Sequence, residues 1–217
     1  MEEWRRGWRT VLGAALAAAT GVNLLYFVFS LFIPHLQKET GWTLGEFSQL
    51  QALVGIGSLA APLAGWAMDR YGLRRVWATG MVAIALLYLC VGFLPVIPLL
   101  FGVMVFMTGL IGVATTSISY TKAVNGWFSS QRGLALALSA TGISLAAIFM
   151  PPLLERIITL EGWRIGYFML AALALCIGLP SILFLVADIP VRAPDHEEAR
   201  RRAEEGPDHF YHSPAFW

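Results

Sequence analysis

Gly65-Trp66-Ala67-Met68-Asp69-Arg70-Tyr71-Gly72-Leu73-Arg74-Arg75 is a short charged stretch between two long apolar runs, Phe47–Met68 and Val76–Leu94. Each run is long enough to cross a bilayer, which takes roughly 20 apolar residues as a helix. The stretch is therefore expected to be a tight loop joining two spanning helices. Its three arginines place it on the cytoplasmic side. Asp69 falls at the C-terminal end of the first helix, where the backbone dipole is already negative and disfavours an acid. A carboxylate there calls for a basic partner, and Arg70, Arg74 and Arg75 are the nearest candidates.

Working outward, the chain has 217 residues, of which 57% are hydrophobic and only 13% charged. Its mean hydropathy is +0.65. Soluble domains carry about 25% charged residues, so the composition is that of an integral membrane protein. Six apolar spans can be placed at about residues 11–33, 47–68, 76–94, 99–121, 134–153 and 165–187. The first continues well past the 7–15 residues of a signal-peptide core, which makes it a retained helix. Cys90 and Cys176 lie in separate spans, imply no disulfide framework, and read as small packing residues.

Of the fifteen Lys and Arg residues, twelve fall on one side if the N-terminus is cytoplasmic. They are Arg5, Arg6, Arg9, Arg70, Arg74, Arg75, Lys122, Arg132, Arg192, Arg200, Arg201 and Arg202. Lys38, Arg156 and Arg164 remain outside. This asymmetry predicts both termini on the cytoplasmic side, and a cell (plasma or inner) membrane is the expected location. None of the fourteen acids lies well inside a span, so no carboxylate is poised at membrane depth to carry a proton.

Polar side chains are unevenly shared. Thr20, Asn23, Tyr26 or Phe27, and Ser30 mark one face of the first span, and Thr108, Gly112, Thr115, Thr116, Ser119 and Tyr120 one face of the fourth. The second carries Gln49, Gln51 and Ser58, and the fifth Ser139, Thr141 and Ser144. The third and sixth are nearly bare and are expected to face lipid. Two three-helix repeats around a polar path would give this pattern. Isolated Ser and Thr also serve simply to bond helices together. Asn23 is harder to place that way, because a carboxamide in hydrocarbon needs several partners.

The spacing of Gly65, Asp69, Arg70, Gly72, Arg74 and Arg75 resembles the loop between the second and third helices of major facilitator superfamily transporters. The resemblance implies an all-α membrane fold of six transmembrane helices arranged as two three-helix inverted repeats, the N-terminal half of that fold. It also implies a conformational role for this loop, clasping a helix of the other half in the outward-open state. An incidental positive-inside turn would show basic residues without the full spacing.

A second stretch, Gly126-Trp127-Phe128-Ser129-Ser130-Gln131-Arg132-Gly133-Leu134-Ala135, is similar to the corresponding loop of the monocarboxylate-porter-like and oxalate–formate-antiporter-like branch. Trp127, Phe128, Arg132 and Gly133 carry that likeness. Pro151-Pro152-Leu153 and Gly162-Trp163-Arg164 look like that group's exit from the fifth helix and start of the sixth. Relatives handling oxalate or lactate often carry a tyrosine where this chain has Ser117; Tyr120, one turn on, is the candidate substitute.

These readings set the expectations. The chain comprises a cytoplasmic N-terminus (1–10), a six-helix domain (11–187), a charged cytoplasmic linker (188–212) and the start of a seventh helix (213–217). It is expected to be the N-terminal part of a larger transporter moving a small organic anion, such as a monocarboxylate, by alternating access. Asn23, Tyr26, Thr116, Ser119 and Tyr120 are its candidate path residues. The partners implied are the lipid bilayer, the organic anion, and a second six-helix half or a second copy; no nucleic acid, cofactor or metal is expected. An intramembrane enzyme is disfavoured, since there is no Gly-x-Ser-x-Gly elbow, no paired histidine in a span and no buried acid pair. The alternative kept open is a six-helix protein acting as a homodimer or accessory subunit without transport of its own.

Overall fold

The computed structural model of the chain describes residues 2–187. The charged linker and the seventh-helix start lie outside the described residues. Within them the fold is helical, and six helical stretches are long and apolar enough to cross a membrane.

The first span is made of α1 (Glu2–Thr20) and α2 (Val22–Thr40), interrupted at Gly21. The second is made of α3 (Leu44–Ser58) and α4 (Ala61–Tyr71), with a turn at Leu59 and Ala60. Pro62 explains that turn: it has no N–H to donate to the carbonyl of Ser58, four residues back. The third span is α5 (Leu73–Phe93). The fourth is α6 (Pro98–Gly112), a 3₁₀ turn over Val113–Thr115, and α7 (Ser117–Asn125). The fifth is the unbroken α8 (Arg132–Glu161), and the sixth is α9 (Trp163–Leu173) continued through two π-type turns to Leu185.

Helices overrun the apolar runs at both ends. The first helical stretch, Glu3–Thr40, holds 38 residues. At 1.5 Å per residue it spans about 57 Å, against a hydrocarbon thickness of about 30 Å. Glu3 and Glu39, at its two tips, therefore stand outside the hydrocarbon. Residues 2–10, expected as an N-terminal arm, are helical and continuous with this span. The prolines expected to mark the exit from the fifth helix instead lie inside α8, which runs on to Glu161. Membrane helices tolerate proline where neighbours satisfy the freed carbonyls.

The two triplets repeat each other. Between the second and third spans the whole connection is Gly72, at φ 93°; between the fifth and sixth it is Gly162, at φ 91°. A one-residue joint in this left-handed region is open to glycine and strained for any L side chain. Each second helix also packs against the first helix of the other triplet. The crossings are close: a Cβ on Gly109 of α6 would sit 2.4 Å from the Val54 carbonyl oxygen of α3. One on Gly142 of α8 would sit 2.3 Å from the Ala15 carbonyl oxygen of α1.

The third helices do not stand apart in lipid as expected. In the most apolar window, 44% of the third span and 33% of the sixth are buried, against 11% for the second and fifth. Trp77, Met81, Ile84 and Tyr88 of α5 are buried, with Tyr88 ring-to-ring against Tyr167 of α9 at 6.2 Å. The third helices close the bundle behind the first ones. The second and fifth leave apolar faces uncovered, including Ile56, Leu59, Leu63, Ile148, Phe149 and Leu153. Cys90 and Cys176 lie on the outer surface rather than in the packing.

Candidate functional site

The site begins with two breaks in corresponding helices. Gly21 is extended (φ −76°, ψ −163°) and interrupts the first span. Thr116 is extended (φ −87°, ψ −167°) and interrupts the fourth. A break frees backbone groups that must be paired in a membrane interior. Here the two breaks pair each other, since the Val22 N–H donates to the Thr115 hydroxyl at 3.0 Å. Thr115, fully buried, in turn donates to the Gly112 carbonyl at 2.8 Å. Glycine is required at 21 for proximity, because a Cβ there would lie 2.8 Å from the Thr115 carbonyl oxygen.

Beside this joint a groove of about 490 Å³ opens between the first, second and fourth spans. Asn23, Tyr26, Gln51, Ser58, Thr116 and Ser117 supply its polar lining, and none of its lining residues is charged. A second cavity of about 20 Å³, enough for roughly one water, adjoins it and shares Tyr26 and Gln51, with Thr108 and Tyr167 on its far wall. A groove of about 550 Å³ between α3 and α6 is lined largely by apolar groups such as Leu53, Leu99 and Phe106, and it touches neither break.

Of the five path residues expected from sequence, Asn23, Tyr26 and Thr116 come together in this groove. Ser119 does not: it is fully buried and donates to the Ala114 carbonyl at 2.5 Å, with the Met68 sulfur at 4.0 Å. One turn of helix beyond Thr116 carries its hydroxyl into the packing between α7 and α4. Tyr120 packs against the hydrophobic core and is not among the groove lining. Ser117 itself lines the groove. Gln51 was visible in the sequence as a polar residue of the second span, but its shared position with Asn23 depends on how α3 crosses α2.

The Asp69 loop forms a different pairing from the one expected. The Asp69 carboxylate is bound by Lys122 of α7 at 2.7 Å, not by its neighbouring arginines. Lys122 also donates to the Gly65 carbonyl at 3.0 Å. The ammonium thus offsets both the acid and the negative end of α4. Arg74 donates instead to the Leu183 carbonyl of the sixth span, while Arg70 and Arg75 are exposed. Arg70 follows Asp69 on the same helix and is exposed, and Arg74 and Arg75 lie beyond the joint at Gly72, whereas the fourth span brings Lys122 alongside. A Cβ on Gly65 would meet nothing within 4 Å, so no close contact among the described residues requires glycine there.

The second loop is tied to the N-terminal turn. Phe128 is buried, with its ring 4.9 Å from that of Trp4. The Glu3 carboxylate accepts from the Ser129 hydroxyl at 2.7 Å and the Ser129 and Ser130 N–H groups at 3.3 and 3.4 Å. Trp4 donates to Gln131. Arg132 donates to the Phe128 carbonyl at 3.4 Å, and the Trp127 indole nitrogen is buried without a partner among the described residues. A Cβ on Gly133 would meet open space. None of Trp127, Phe128, Arg132 or Gly133 lines the groove. At the end of the bundle opposite the Asp69 loop, Glu39 accepts from Arg164 at 2.6 and 3.1 Å and from Trp163 at 2.7 Å. Among the described residues no cluster of His, Cys, Asp and Glu could hold a metal ion.

Six spanning helices in two inverted triplets, with paired breaks opening on an uncharged polar groove, define a multi-pass, all-helical membrane unit built as an inverted repeat. The chain belongs to the Major Facilitator Superfamily, whose sequence profile matches residues 11–217. It is similar to the MFS-type transporter pytF of Aspergillus terreus, 25% identical over 86% of this chain and 64% of that protein. It is also similar to monocarboxylate transporter 13 of Rattus norvegicus, at 25% identity over 87% of this chain and 45% of that one. Monocarboxylate transporter 11 of Homo sapiens is 25% identical over 78% of this chain and 36% of its own length. The chain thus spans between about a third and two thirds of the length of these relatives.

Proposed function

We propose that the chain is the N-terminal six-helix unit of a secondary transporter that moves a monocarboxylate or related small organic anion by alternating access. The observation that carries this is the meeting of two helix breaks, at Gly21 and Thr116, beside one polar groove. Discontinuous helices in corresponding positions of an inverted repeat are a characteristic setting for a transported solute. Similarity to monocarboxylate transporters supports the substrate class. A second six-helix unit would cover the apolar faces of the second and fifth spans and supply the cation that the groove lining lacks. Asp69, Arg70, Arg74, Arg75, Gly65 and Gly72 serve conformational change at the cytoplasmic face. Trp127, Phe128, Arg132 and Gly133 fix the loop after the fourth span. The unit sits in a cell membrane with both termini cytoplasmic.

Binding and transport test separate parts of this reading. The purified chain in nanodiscs should bind radiolabelled lactate saturably, and propionate should compete. In liposomes the chain by itself should accumulate none. Absence of saturable binding even at concentrations high enough to compensate for the missing cation overturns the substrate class, and accumulation by the chain alone overturns the need for a second unit. A second copy covering the same faces is the other arrangement the exposed apolar surface supports. Light scattering of the purified chain in detergent distinguishes it by mass.

A further inference from the structure

Asn23 and Gln51 bring two carboxamides to one groove within the apolar depth of the first and second spans. Neither makes a hydrogen bond to another described residue. Each carboxamide offers two N–H donors and one carbonyl acceptor. Such groups are expensive in a membrane interior unless they serve a solute path or find partners. Val22, next to Asn23, has its N–H committed to Thr115. Thr116 has its hydroxyl proton committed to the Val113 carbonyl at 2.8 Å and can only accept. The two carboxamides therefore hold the uncommitted donors and acceptors on this wall, together with the Tyr26 and Ser117 hydroxyls.

The wall also carries no charged residue. It has nothing to balance a carboxylate, and its neutral groups suit the uncharged end of a substrate. Two carboxamides are matched by a group that donates and accepts at once: one carbonyl takes the proton and the other amide's N–H meets the oxygen. A hydroxyl does both, whereas a methylene does neither. A site built to bond a hydroxyl rejects the analogue lacking it, since its own polar groups are then left unpaired.

We infer that Gln51 and Asn23 form a specificity pair that reads a hydroxyl on the substrate, so that the unit prefers a hydroxy monocarboxylate to its deoxy counterpart. This rests on the monocarboxylate reading of the groove. Lactate and propionate are the probes, since they differ by one hydroxyl and share charge and carbon number. With the purified full chain in nanodiscs, lactate should bind about tenfold more tightly than propionate. Gln51→Leu should erase the difference in affinity between lactate and propionate. Gln51→Asn, which keeps a carboxamide, should restore part of the preference. Gln51 is exposed and bonds nothing within the described chain, so the leucine variant should keep its melting temperature. Equal binding of the two acids by the unaltered chain overturns the pair but leaves the monocarboxylate reading standing. A lactate preference that survives in both Gln51→Leu and Asn23→Leu does the same. Binding of neither acid, at concentrations high enough to compensate for the missing cation, overturns both.

Discussion

The Val22 backbone N–H and the Thr115 hydroxyl, 3.0 Å apart, join two interrupted helices at their breaks. Both residues are fully buried, so removing the hydroxyl leaves a buried donor unpaired, at a cost of about 1–3 kcal/mol. Thr115→Val keeps the shape and should lower the melting temperature by several degrees, taking about 2–4 °C per kcal/mol for a chain of this size. Thr115→Ser should stay near the unaltered value. Equal melting of the valine variant and the parent in a thermal scan would show that the joint contributes nothing.

Close backbone crossings make a second expectation. The missing Cβ of Gly142 would lie 2.3 Å from the Ala15 carbonyl oxygen, and neither backbone can yield as a flexible side chain would. Gly142→Ala should therefore destabilise by about 1–3 kcal/mol through overpacking. Gly133→Ala, whose Cβ meets open space, is the control and should melt like the parent.

At the end of the bundle opposite the Asp69 loop, pH enters through Glu39. Hydrogen bonds from Arg164, with Trp163 adding to them, hold its carboxyl below the usual glutamate range, against a smaller opposing effect of desolvation. Because the folded value lies below the unfolded one, the stabilisation is fully present above an ordinary glutamate pKa of about 4.3. It is lost as the pH falls through the lowered value. The Glu39 and Arg164 side chains are 38% and 40% exposed, so the pair should contribute under about 1 kcal/mol after solvent screening. Glu39→Gln should melt slightly lower than the parent near neutral pH, and the gap should close in acid. A gap that stays constant down to the acid limit would refute the assignment.

How much of this was legible beforehand depends on the kind of contact. The six spans followed from apolar length, because a bilayer imposes a minimum length on a single helix, and the two triplets from the uneven sharing of polar side chains among the spans. Asn23, Tyr26 and Thr116 were legible because helical spacing places polar residues on one face. Ser119 obeyed the same spacing, yet the break at Thr116 shifts the helix phase and turns Ser119 into packing. Lys122 as the partner of Asp69 was hidden, since proximity in sequence favoured the arginines and only the crossing of α7 past α4 brings the lysine near. Gly21 stood in plain view inside an apolar run, but nothing local distinguishes a glycine that breaks a helix from one that packs.

Asp69 and Lys122 also separate stability from function. Asp69 is 75% exposed, so a double-mutant cycle of Asp69→Asn and Lys122→Met should give a coupling below about 1 kcal/mol in the isolated chain. In an assembled transporter Asp69→Asn should slow turnover and leave substrate affinity nearly unchanged, because no residue of this pair lines the groove. Transport and equilibrium binding measured on the same preparation check this. A selective loss of affinity counts against a conformational role.

Orientation in the membrane can be read by cysteine labelling, provided the reporters are accessible. Lys38 and Leu160 are exposed at the ends of α2 and α8, and positive-inside asymmetry puts both outside. Leu73 in the opposite loop is a poor reporter, being only 8% exposed; a cysteine there would stay unlabelled on either side. Arg75, exposed in the same loop, gives a usable negative. With Cys90 and Cys176 replaced by alanine, single cysteines at 38 and 160 should react with an impermeant maleimide in intact cells. One at 75 should react only after permeabilisation. Labelling at 75 in intact cells, with silence at 38 and 160, would invert the topology. The Asp69–Lys122 pair would then lie on the outer face, and the Glu39–Arg164 pair would lie in the cytoplasm.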